Sequence, residues 1–331
     1  MNETTYDLSA ARKSFSRIGL ALCALLLIAT VLQLVWFTVP ALLWGEDTWM
    51  VSSSWGIWIG SFVPLYLVAI PVCLLIMKKL PAQTPVQSKL GGVEFLIFLS
   101  ISVFIMYAGS FVGALLSAIL SGGTAENAVE AYAMDTNPLK VLVMVVLAPL
   151  LEEYVCRKQI IDRTRQYGEK TAVFLSALTF GLLHQNFFQF FYAFGVGLVF
   201  GYIYIRTGRL RYSILLHGIF NFMGAVIAPY LQRILEEASI TELSPNATNE
   251  ELLQQTSQLL SELMIPMLYA MIVFGVAIAG FVLLLWKKKQ LVWKPTETQL
   301  PRGTAGQTVF CNIGMFLYIL LCTAAFILAL L

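Results

Sequence analysis

Charge is what this sequence has least of. Only 12% of its 331 residues are Asp, Glu, Lys or Arg, about half the share found in an ordinary soluble domain. That shortage excludes a fold that presents most of its surface to water, and a mean hydropathy of +0.78 points to lipid as the solvent. The net charge, +2, is too small to argue for a nucleic-acid partner. Histidine is scarcer still, with two in the whole chain. The five cysteines (Cys23, Cys73, Cys156, Cys311 and Cys322) are odd in number, have no metal-ligand spacing, and lie in or beside apolar runs. They read as small core side chains and not as a disulfide framework. No stretch between the apolar runs is long enough to fold alone, so one membrane domain is expected.

What the sequence does have is long apolar runs. They fall near 18–44, 56–77, 93–120, 139–160, 171–186, 190–206, 209–231, 264–286 and 309–331. This pattern predicts an all-α polytopic membrane protein of about nine transmembrane helices, the fifth and sixth short. Arg12, Lys13 and Arg17 precede a first run too long for a signal-peptide core, which is expected to stay as the first span. If the chain starts in the cytoplasm and alternates sides, every basic residue but Lys140 and Arg233 falls on the inner side. That bias predicts a multi-pass cell-membrane protein with its N-terminus cytoplasmic and its C-terminus outside.

Three sections follow: N-terminal helices over 1–138, a core of spans four to seven over 139–231, and an outer segment with two further helices over 232–331. In the outer segment, Thr248 and Glu251 have capping-box spacing, and Leu252, Leu253, Leu259, Leu260 and Leu263 follow at helical period. A short amphipathic helix on the outer surface is expected there, with partner docking as the alternative. Asn246-Ala247-Thr248 matches a glycosylation acceptor, relevant only in a eukaryotic secretory pathway. There is no internal repeat.

An ionisable side chain inside a bilayer costs about 2.5–3.5 kcal/mol or more, so each needs a reason. Glu94 sits at the edge of the third span and can reach the interface. The fourth span carries the adjacent pair Glu152 and Glu153, with Arg157 four residues after Glu153. Glu153 and Arg157 can pair along one helix face, while Glu152 points about 100° away and is left free. His184 lies in the fifth span, and His217 in the seventh, one turn before Asn221. A lone buried histidine is usually structural; two of them, with an amide at i+4 and a buried carboxylate pair, indicate a site. Peptide hydrolysis needs a base, a positioned water and donors for an oxyanion, and these residue types supply all three.

Glu-Glu-x-x-x-Arg, Phe-x-x-x-His and His-x-x-x-Asn, in that order on three apolar helices, resemble the CPBP (Abi) family. It comprises type II CAAX prenyl endopeptidases and bacteriocin-processing relatives. Ser176–His184 (SALTFGLLH) and Gly197–Asn221 read like members of it, and the resemblance covers about 139–231. It implies an intramembrane endopeptidase in which Glu152 is the general base that activates a water and His184 holds the same water. His217 and Asn221 would then face the oxyanion or complete the water site, with Glu153 and Arg157 as structural support. The resemblance leaves metal use open: no cofactor is required on the preferred reading, and zinc on Glu152, His184 and His217 is the alternative. Membrane lipid and a cytoplasmic-side peptide or protein substrate are the expected partners, in a bacterial membrane; a prenyl group is less expected. The competing readings are a non-catalytic immunity or maturation scaffold and a transporter. Helix rise places Glu152 and His217 roughly 12 Å from the inner ends of their spans and His184 nearer 20 Å. A common site therefore requires the fifth helix to tilt or to begin deeper.

Overall fold

The computed structural model describes residues 8–240, 248–296 and 298–331. The first two residues of the Asn246-Ala247-Thr248 triplet lie outside them. The long helices are α1 (Leu8–Trp44), α2 (Ser54–Met77), α3 (Gly92–Ser121), α4 (141–164) and α5 (Glu169–Leu183). They continue with α6 (Phe187–Thr207), α7 (Leu210–Ala238), α8 (Asn249–Gln290) and α9 (Ile313–Leu328). No strand occurs among the described residues. The chain is an all-α polytopic membrane protein, and each apolar run of the sequence falls on one of these helices. Six of them (α1, α2, α3, α6, α7 and α8) are long and apolar enough to cross a membrane. At 15 and 16 residues, α5 and α9 extend only about 22–24 Å, short of a hydrocarbon core of about 30 Å.

Packing explains which helices sit inside. In α6, 61% of the most apolar window is buried, because α3 and α5 lie against it. In α8 only 6% is fully buried: one face packs on α3 through Gly280 and Phe281, and the rest of its apolar surface faces outward, where lipid is the partner that composition demands. Without a hydrophobic force between helices in lipid, close approach depends on small residues. Gly109 and Gly113 let α3 meet the α6 backbone at Tyr192 and Phe187, and Gly19 and Gly314 let α1 and α9 cross backbone to backbone. A side chain at any of these four would overlap the neighbouring main chain.

Two expectations need correction. The segment before the eighth apolar run is not a separate helix lying on the surface. Residues 249–263 are the first turns of α8, which is continuous over 42 residues, about 63 Å and twice the hydrocarbon thickness. The capping box forms as expected, with the Glu251 carboxylate accepting from the Thr248 backbone N–H at 2.8 Å. Nothing downstream breaks the helix, since Pro266 is carried inside it. The last turns of α7, continued by the helical residues up to Ile240, pack against α8. Of the cysteines, four are buried, but Cys311 is exposed, because the chain turns between a short helix (Ala305–Phe310) and α9. All five are free thiols. Lys140, one of the two charge outliers, donates to the Ala133 carbonyl at 2.8 Å.

Candidate active site

The helix α4 is irregular, and its irregularity leaves one carbonyl to be satisfied from outside the helix. Its first stretch, Val141–Leu147, is a π turn, in which the Ala148 N–H reaches back five residues to the Val143 carbonyl. In that register the Met144 carbonyl looks to residue 149 for its donor, and residue 149 is proline, which has none. The side-chain amide of Asn221 on α7 supplies it instead, donating to the Met144 carbonyl at 2.7 Å. One α-helical turn and a half follow, Ala148–Glu153, and then a second π turn, Tyr154–Ile161. The adjacent carboxylates thus sit on a short regular piece between two π turns, a deviation that recurs at functional sites.

Glu153 and Arg157 are both fully buried and pair in the fork-to-fork geometry. Arg157 donates from Nε to Oε2 at 3.0 Å and from Nη2 to Oε1 at 3.1 Å. Its remaining nitrogen donates to Ser176 Oγ on α5 at 3.0 Å, while Ser176 Oγ donates to the Cys156 carbonyl at 2.7 Å. The guanidinium lies 4.6 Å from the Phe180 ring centroid, a stacking position. One ion pair therefore ties α4 to α5. It also ties α4 to α7, because Glu153 Oε1 accepts from His217 Nδ1 at 3.2 Å.

Both histidines are held by the same device. His184 Nδ1 meets the Phe180 carbonyl at 2.8 Å, and a carbonyl only accepts, so Nδ1 carries the hydrogen and Nε2 is left for the site. His217 Nδ1 is fixed by Glu153 in the same way. Its Nε2 faces Glu152, 3.8 Å from Oε2, close enough to act electrostatically but long for a hydrogen bond. Phe180 stands between the two imidazoles, with ring centroids 5.1 Å from His184 and 5.3 Å from His217. The Phe180 ring therefore bridges the two histidines, whatever their difference in depth along the helices.

Glu152 differs from its neighbour, being 28% exposed in its side chain. It opens, with His184, onto a cavity of about 150 Å³ whose other walls come mostly from α1 and α2, with Val155 and Leu183 completing them. Two residues in this cavity were not singled out from the sequence. Tyr66, 7% exposed, brings a hydroxyl to it. Gln185 follows His184 in a left-handed conformation, with φ +57°, uncommon for a residue that is not glycine. Asn186 then caps α6 and donates to the His184 carbonyl at 2.7 Å, which fixes the corner carrying the imidazole. Adjacency to His184 was the only sequence signal for Gln185; Tyr66 had none.

The expected residues therefore separate into two groups. Glu152 and His184 line the cavity, while Glu153, Arg157 and His217 form a buried row beside it. Asn221 is turned to the α4 backbone. Zinc would need at least three donors converging on one point. Among the described residues no group of three His, Cys, Asp or Glu side chains is gathered closely enough to hold an ion. As placed, Glu152, His184 and His217 do not form a zinc site, and no step below runs through one.

Comparison with known proteins fits this geometry. Residues 135–223 match the family described as type II CAAX prenyl endopeptidase, Rce1-like, which takes in all six of these residues. YdiL of Bacillus subtilis (strain 168), provisionally named a membrane peptidase, is 24% identical over 164 residues, 47% of this chain and 66% of its own length. MroQ of Staphylococcus aureus (strain USA300), named a membrane-embedded CAAX protease, is 34% identical over 91 residues, 25% of this chain and 37% of its own. The chain thus spans just under two thirds of the first relative and little more than a third of the second. No solved structure matches it.

Proposed function

Starting from an Rce1-like domain at residues 135–223, we propose that this chain is an intramembrane endopeptidase in which Glu152 activates the water. One observation carries the reading. Of two adjacent carboxylates, Glu153 is spent on Arg157 and His217, while Glu152 has only the long 3.8 Å approach of His217 Nε2 and opens on a cavity beside His184. A base must reach its water, and only Glu152 does.

The roles follow from the atoms left over. A water between Glu152 and His184 Nε2 gives its proton to the Glu152 carboxylate as its oxygen bonds to the scissile carbonyl carbon. The proton then passes to the amide nitrogen as the carbon–nitrogen bond breaks. His217, held at Nδ1 by Glu153, presents Nε2 on the Glu152 side, where it faces the developing oxyanion. Glu153 and Arg157 position His217. Asn221, engaged with Met144, supports the shape of α4, and we assign it a positioning role ahead of a donor role. The reaction needs no metal on this reading. The substrate is a membrane-associated peptide or protein, approached from the cytoplasmic side under the orientation with the N-terminus inside.

The test compares new peptide ends, by mass spectrometry, in membranes carrying wild-type protein and Glu152→Gln. The amide is nearly isosteric but accepts no proton from water. Cleavage sites present with wild type and absent with the variant, at equal melting temperature, are the expected result. Identical cleavage patterns would remove Glu152 as the base and leave a scaffold role.

A further inference from the structure

The cavity beside Glu152 is built from two sources. Its polar end (Glu152, His184, Gln185) comes from the segment that matches the family. Most of its apolar wall comes from α1 and α2, through Leu26, Ala29, Leu65 and Ile70, which fall outside that segment, while Val155 and Leu183 add to the wall from inside it. Leu26, Ala29 and Ile70 are each 6% exposed or less, so these walls are fixed by helix packing and do not collapse freely. The volume, about 150 Å³, equals that of an engineered apolar cavity that takes up benzene. A benzene ring is close in size to one Phe or Leu side chain. A prenyl chain of about fifteen carbons is more than double that content.

We infer that this cavity is the subsite for a single apolar side chain next to the scissile bond, making the substrate class a peptide recognised without a lipid. The inference rests on the endopeptidase reading above. Chemistry and selectivity then reside in different parts of the chain. The matched core carries the water and its base, and α1 and α2 decide which residue can be seated beside them. A lone side chain seated against Ala29 and Ile70 lies in the same cavity as Glu152 and His184 and brings its own peptide group toward them; Thr30, Gln33, Tyr66 and Gln185 are the other polar side chains of the lining. A hydrophobic pocket discriminates by size, each methylene too many or too few being worth about 10–200-fold.

The experiment reconstitutes the full chain in phosphatidylcholine vesicles and presents a library of unmodified peptides with randomised apolar positions, reading cleavage sites by mass spectrometry. Wild type is expected to cut beside Leu, Met or Phe. Ala29→Phe fills the cavity and should move the preference to Ala or Gly, with cleavage at Leu and Phe reduced at least tenfold. Ile70→Ala enlarges the cavity and should admit Trp. Melting temperatures identify a variant that is merely unfolded, and the opposite shift in Ile70→Ala keeps the test alive if Ala29→Phe fails to fold. A farnesylated copy of the best peptide should be cut no faster than the plain one. Unchanged residue preference in both folded variants, or cleavage of the farnesylated peptide alone, overturns the inference while leaving the enzyme intact. Equal cleavage of the library by wild type and Glu152→Gln overturns instead the endopeptidase reading beneath it.

Discussion

Replacing Arg157 by leucine should be the most damaging single change in the buried row, and the geometry says by how much. The guanidinium is fully buried, makes two bonds to Glu153 and one to Ser176 Oγ, and stacks on Phe180. Leucine keeps the apolar contact but strands the Glu153 carboxylate at 0% exposure, with only a histidine and a serine hydroxyl, His217 and Ser213, beside it. Breaking one side of a buried pair costs about 3–5 kcal/mol, which corresponds to a fall in melting temperature on the order of ten degrees. The decisive measurement is a double-mutant cycle, followed by thermal unfolding in detergent. Replacing Glu153 by methionine at the same time removes the stranded charge, so the double variant should be more stable than the sum of the single changes by about 1–3 kcal/mol. Activity should stay lost in the double variant, because His217 no longer has an acceptor for Nδ1. Arg157→Leu protein that melts within a degree of wild type, or single effects that simply add, would refute the argument that this pair binds α4 to α5 and α7.

Asn221→Ala should leave the Met144 carbonyl unpaired and destabilise by about 1–3 kcal/mol; adding Pro149→Ala restores a backbone donor. Recovery of both melting temperature and turnover makes Asn221 a positioning residue, whereas recovery of stability alone shows that it acts on the reacting atoms. If no metal takes part, strong chelators leave turnover unchanged and active protein carries well under one zinc per chain by elemental analysis; loss of zinc and activity together would reverse that view. At the junction before α4, burial raises the Asp135 carboxyl, but hydrogen bonds from Ser54, Trp58 and the Asn137 backbone outweigh it and hold it below the usual range. Its contribution is therefore complete above the unfolded value of about 3.9 and fades as pH falls through the lower folded one. Asp135→Asn should flatten the acid limb of a melting-temperature profile, and an unchanged limb would show that these bonds contribute nothing. Gly314→Val should separate α9 from α1 at Gly19 and lower yield and melting temperature; a fully stable variant would mean that the crossing is not held as described.

The sequence by itself determined the solvent, the helical class and the cluster of polar residues that the proposed site is built from. Scarce charge demanded lipid, and lipid allows the backbone few alternatives to helices. Inside those helices a Glu-Glu pair, an arginine one turn on, and the only two histidines stood out because each is expensive there. Even the Glu153–Arg157 pairing was readable, since i,i+4 spacing places the two side chains on one helix face. What the sequence did not determine was anything that depends on two helices meeting. That Asn221 answers the carbonyl left by Pro149 follows from a π register on α4, a shift of one hydrogen bond that no local pattern announces. That residues 249–263 continue into α8 depended on the absence of a break, and an amphipathic stretch looks alike whether it ends or goes on. Tyr66 and Ala29 are ordinary members of apolar helices until α1 and α2 are set against α4. Only the tertiary structure decided that they face Glu152, because a wall is a property of several helices and a sequence lists one residue at a time.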